Sequence, residues 1–172
     1  MRRDYVKQGK FLLFIFTFFL FGCGLNNNTK DVMPEKMPSD FDFSVKFGVG
    51  KKNEIDTYED KVTKDLVDDG TATINLPLSI EEKEKIYEKM KNINIIRLKE
   101  LTPRTECMTK PYSEDEWKIT INGEKITPYI SGAYCEKANA ENKLIDLRNY
   151  IRNIVQNKVE YQKLPEATGG YE

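Results

Sequence analysis

Histidine is absent from the 172-residue sequence. Every mechanism that needs an imidazole goes with it, including Ser-His and Cys-His nucleophile pairs and His-ligated zinc. An excess of one charge is lacking too: Lys plus Arg number 27 against 28 Asp plus Glu, with no long basic run. The electrostatic footprint of a nucleic-acid binder is therefore missing. Cysteine is limited to three and tryptophan to one. The apolar run at Phe11 to Phe21 falls short of the roughly 20 residues that a bilayer-crossing helix needs. No Gly-x-Ser-x-Gly elbow and no Ser-x-x-Lys occurs. Gly48-Val49-Gly50-Lys51 lacks the spacing of a phosphate loop and reads as the end or bend of a strand. A chain of this length holds one ordinary domain with attachments.

What is present begins with a leader. Met1 to Lys10 carries Arg2, Arg3, Lys7 and Lys10 against Asp4, and Phe11 to Phe21 is apolar except for Thr17. This is a charged n-region followed by an h-region. Asn26-Asn27-Asn28 makes the continuation a poor membrane segment. Leu20-Phe21-Gly22-Cys23 resembles the lipobox of bacterial lipoproteins, in which a small residue precedes the cysteine that becomes the mature N-terminus; Phe21 is bulkier than the usual residue there. The resemblance implies cleavage after residue 22, diacylglyceryl transfer to the Cys23 sulfur, and acylation of the new amine. Each buried CH2 contributes about 0.8 kcal/mol, so two or three chains anchor stably. The expected location is the extracytoplasmic face of the cell membrane. An uncleaved signal anchor, and behind it a cytosolic chain with Phe11 to Phe21 as a buried helix, are the alternatives. Processing removes four basic side chains and one acid, which takes the net charge from −1 to −4. An anionic membrane surface repels such a domain, leaving the lipid as its membrane contact.

Residues 23 to 39 comprise the lipidated cysteine and a flexible tether: Gly24 to Ser39 is polar, holds two prolines and shows no apolar periodicity. A single domain is expected over 40 to 163. Phe41 to Phe47 alternates apolar and polar residues as a half-buried strand does. Glu54 to Val62 reads as a weaker extended stretch pairing back on it, and Asp68-Asp69-Gly70 as a turn before a strand at Thr71 to Leu76. Ser79 and Glu82 have capping-box spacing and open a helix to about Asn92, with Ile86, Tyr87, Met90 and Ile93 on one stripe. Ile93 to Leu101 is ambiguous. Glu116 to Ile121, then Asn122-Gly123, then Glu124 to Thr127 predicts a hairpin with a type I′ turn. Leu144, Leu147, Ile151, Ile154 and Val155 predict a second amphipathic helix from about Ala140 to Lys158, and residues 164 to 172 form a loose tail. The sum is an α+β fold: an antiparallel sheet of about four to six strands with two amphipathic helices on one face.

Cys107 and Cys135 remain after lipidation, and an even pair in an exported chain reads as a disulfide. It closes a loop around Trp117 and contributes about 3 to 4 kcal/mol on the chain-entropy account. A redox pair, far from Cys-x-x-Cys spacing, and free thiols are the alternatives. Asp65, Asp68 and Asp69 do not alternate as an EF-hand loop requires and read as a charged turn. Among the aromatics inside that loop, Trp117 and Tyr129 are assigned to packing of the sheet on its helices. Tyr112 and Tyr134, in expected loops, are the interface candidates.

The mature chain also resembles small lipoproteins of low-GC Gram-positive bacteria, through a composition rich in Lys, Asn and Ile and stretches such as Asp42 to Gly48 and Leu164-Pro165-Glu166. That resemblance implies no activity. The expected function is a non-enzymatic, membrane-anchored binding module for an envelope protein or wall component, with no catalytic residue, cofactor, metal or nucleic acid. Two alternatives stand beside it. One is an immunity or inhibitor lipoprotein that forms a tight complex with a toxin or enzyme. The other is a carboxylate-based hydrolase, which needs close carboxylates with raised pKa in a cleft.

Overall fold

Period-two alternation governs the first half of the chain. In the computed structural model, which describes residues 32–98, 110–133 and 139–172, β1 (Asp42–Val49), β2 (Asn53–Asp56), β3 (Lys61–Val67) and β4 (Gly70–Asn75) form an antiparallel meander. Helix α1 (Ile80–Asn92) follows, then a 3-10 turn at Ile95–Leu98 where the sequence was ambiguous. Strands β5 (Ser113–Ile121), β6 (Glu124–Ile126) and β7 (Tyr129–Ser131) complete the sheet before α2 (Asn139–Gln156) and the short α3 (Val159–Gln162). The spatial order is β4-β3-β2-β1-β5-β6, with β7 also paired to β5.

The α+β class is as expected, and the sheet has seven strands among the described residues, just above the expected four to six. Glu54 to Val62 is two strands because the Asp56 carboxylate accepts from the amides of Tyr58 and Glu59 and turns the chain between them. At the far end, Pro128 has no N–H for the ladder. Its carbonyl accepts from the Trp117 amide at 2.9 Å, and the chain resumes pairing as β7.

Ile74, Val62, Ile55, Val45 and Trp117 stand at successive partner positions and draw one apolar row across five strands. Ile86, Tyr87 and Met90 of α1 join the same core, as do Leu144, Leu147, Ile151 and Val155 of α2. Both helices therefore cover one face. Trp117 is fully buried, and a side chain of that size contributes about 3 kcal/mol by leaving water. Both arms of the α1 capping box are made: the Glu82 amide donates to Ser79 Oγ at 3.2 Å and the Ser79 amide to Glu82 Oε2 at 2.7 Å. Asn122 and Gly123 take φ of 50° and 77°, the positive pair a type I′ turn requires. The Asp40 carboxylate accepts from both of their amides.

Two expected boundaries shift. The ordered domain starts before residue 40: Met33 is only 5% exposed, and the Tyr87 hydroxyl donates to the Pro34 carbonyl at 2.7 Å. Met37 also packs against the core and Lys91 Nζ donates to the Glu35 carbonyl at 3.2 Å, so a few such contacts hold a stretch whose polar composition reads as tether. Nor is the segment 164–172 loose. The Thr168 amide donates to Leu66 O at 3.2 Å, the Asp68 amide donates to Thr168 O at 3.3 Å, and Val67 and Thr168 form a parallel bridge.

Candidate functional site

The face of the sheet turned away from the helices carries the functional candidates. Antiparallel pairing sets Thr73, Thr63, Glu54, Lys46, Glu116 and Tyr129 in one row. A second row holds Asn75, Lys61, Asp56, Ser44 and Lys118. Strand alternation alone places them there, because their neighbours in sequence fill the core.

The charges on this face are interleaved and paired. Lys46 lies 3.7 Å from Glu54, Lys61 lies 3.4 Å from Glu54 and 2.8 Å from Glu59, and Lys51 lies 2.5 Å from Glu116. The Lys51 hydrogen bond holds the Glu116 carboxyl below its ordinary value, and Glu116 in turn raises Lys51. Lys61 lowers Glu59 in the same way. Two tyrosines stand among these pairs. The Tyr58 ring lies under Lys118 Nζ at 4.0 Å, and its hydroxyl shares a 2.8 Å hydrogen bond with Thr120. Tyr129, 45% exposed, donates its hydroxyl to Glu114, and Lys51 Nζ sits 5.8 Å over its ring. Partial burial and the Glu114 carboxylate push the Tyr129 phenol up to about 12.

Tyr129 therefore faces solvent, contrary to its assignment to the core, whereas Trp117 is core as expected. The signal was available: Pro128 restarts the pairing, and the Asp115↔Ile130 register turns Tyr129 outward. Tyr112 is half-buried just before β5. Tyr134, Cys23, Cys107 and Cys135 lie outside the described residues.

Glu59 and Glu116 are both shifted downward, the direction opposite to what a general acid needs. Asp65 accepts from the Val67 amide at 2.9 Å and from the Tyr171 hydroxyl at 2.6 Å. No group of three or more acidic or cysteine residues gathers as a metal site among the described residues, nor is any helix among them long and apolar enough to cross a membrane. No protein-family model matches the chain, and neither a curated protein nor a solved structure matches it.

Proposed function

We propose that the protein is a lipid-anchored component of the cell envelope that works without catalysis, presenting the uncovered sheet face to an envelope protein or wall component. The observation that carries this reading is the asymmetry of the sheet: both helices cover one face, and the other displays Tyr58 and Tyr129 among alternating Lys and Glu pairs. Aromatics anchor interfaces, and interleaved charges set register and exclude partners with the wrong pattern. Leu20-Phe21-Gly22-Cys23 supplies the anchor. On this reading Cys23 holds the acyl chains, Cys107 and Cys135 close a disulfide, and Tyr112 lies at the margin of the contact surface.

The test uses the anchored protein in its native membrane, with a photocrosslinking side chain placed at Lys46 on the open face or at Glu84 on α1. Discrete adducts from position 46 and none from position 84 are expected. Equal labelling from both positions, or none, overturns the surface. Intact mass of the same preparation, beside Cys23→Ala, tests the anchor: the wild type is expected to lack residues 1–22 and carry acyl mass, and an unlipidated full-length chain rejects it.

A further inference from the structure

We infer that the edge of β3 is a second docking element, built to take an extended peptide from a partner protein that sets one carboxylate against Lys64, and filled at rest by the chain's own residues 164–172. Strand β2 is short. Its pairing with β3 covers Lys61 to Thr63, so beyond Thr63 the edge that β2 leaves is capped only by the Asn53 side chain, whose Oδ1 accepts from the Asp65 amide at 3.0 Å. The C-terminal segment completes the remainder through the parallel bridge between Val67 and Thr168. Backbone pairing of this kind is how sheets recruit extended partners, with side-chain contacts adding specificity.

Those side-chain contacts form a pattern. Glu166 reaches Lys64 at 3.2 Å, the Thr168 hydroxyl donates to Asp69 at 2.6 Å, and the Tyr171 hydroxyl donates to Asp65 at 2.6 Å. Gly169 adopts φ of 77°, and a Cβ there would collide with the Asp68 carboxylate. The groove thus reads an acid, a hydroxyl two positions on, glycine next, and an aromatic hydroxyl after one more residue. Charges of both signs meet there, Asp65, Asp68 and Asp69 against the segment and three cations beside it. Lys52 Nζ lies 5.0 Å over the Tyr171 ring, and Lys64 and Arg152 line a cavity of about 540 Å³ between β3, α2 and the C-terminal segment.

The resting occupant lies at the surface. No side chain from 164 to 172 is buried, so its retention rests on polar contacts at the surface, the low-stability end of a fold. Lys64 is 14% exposed whereas Glu166 is 90% exposed. The receptor cation is therefore built into the fold and its carboxylate partner is not. A partner peptide carrying the same acid can exchange with it. This surface is separate from the open sheet face, so either can fail without the other.

The test is a titration of the full-length chain in detergent with a peptide copying residues 164–172, and with the same peptide carrying Gln in place of Glu166. Wild type is compared with a strap-weakened chain, Thr168→Pro with Tyr171→Phe, which alters no core residue. Removal of the tethered competitor is expected to tighten peptide binding at least about tenfold. Lys64→Met in the weakened chain, or the Gln peptide, is expected to lose roughly threefold, the loss of one largely solvent-screened ion pair. Bound peptide restores hydrogen-exchange protection to the Asp68 amide. Equal affinity in wild type and weakened chain, or indifference to both charge changes, overturns the assignment. Dimerisation of the weakened chain without peptide binding also overturns it, and gives the edge to a second copy.

Discussion

Asp115 and Arg148 meet 3.2 Å apart on the covered side of the sheet, with Asp115 only 3% exposed and the guanidinium 5.5 Å over the Phe47 ring. A carboxylate in that position requires a cation, because a buried charge left without its partner is strongly destabilising. Arg148→Met is expected to cost about 3 kcal/mol in denaturant unfolding, and Asp115→Leu with Arg148→Met together to cost less than Arg148→Met alone. A double variant less stable than the single one would show that the pair contributes net stability beyond compensating its own burial.

The true start of the folded domain is open to an equally direct test. Met33 is buried while Val32 beside it is 58% exposed. Met33→Ala is expected to lose about 2 kcal/mol and Val32→Ala almost nothing. Equal and negligible losses would return the domain boundary to residue 40.

Most of the fold was legible because its elements follow local rules. The alternation at Phe41 to Phe47, the Asn122-Gly123 turn and the Ser79–Glu82 box each specify their geometry within a few residues, and each is present. The missed features depend on long-range contacts. Met33 is held beside the Tyr87 hydroxyl bond to Pro34, and Thr168 pairs with Val67 beyond the point where β2 ends. Of the candidate site, Tyr129 was assigned inward because composition favours buried aromatics; the register across Pro128, which composition does not carry, turns it outward. Asp115 shares the inward parity of Trp117, Ile119 and Ile121, so alternation pointed to it. Nothing local pointed to Arg148.

Acid tests the ion pairs of the open face. Glu116 is shifted below its ordinary 4.5 by Lys51, so the folded state binds its proton less readily than the unfolded chain does. Its contribution is complete above 4.5 and is lost as pH falls through the lowered value. Between about pH 6 and about pH 3, wild type is therefore expected to lose more stability than Lys51→Met, by no more than about 1 kcal/mol because the pair is solvent-screened. Molar salt should erase the difference. A difference that survives molar salt would place the pair's effect outside Coulomb attraction.

Alkali tests Tyr129 from the other direction. Burial first, and then the Glu114 carboxylate that accepts its hydroxyl, raise the phenol from 10.0 to about 12. The folded state therefore keeps a proton that the unfolded chain gives up. Its stabilisation is complete below 10, and it fades as pH rises from 10 toward about 12. Phenolate absorbance of the wild type should include one late-titrating group that Tyr129→Phe deletes. Tyr58 and Tyr87 are also raised, which is why the assignment needs the substitution. Glu114→Gln should move the late group part of the way back toward 10 and leave the share due to burial. If Tyr129→Phe removes instead a group that titrates near 10, then Glu114 does not hold the hydroxyl, and Tyr129 is free to offer it to a partner.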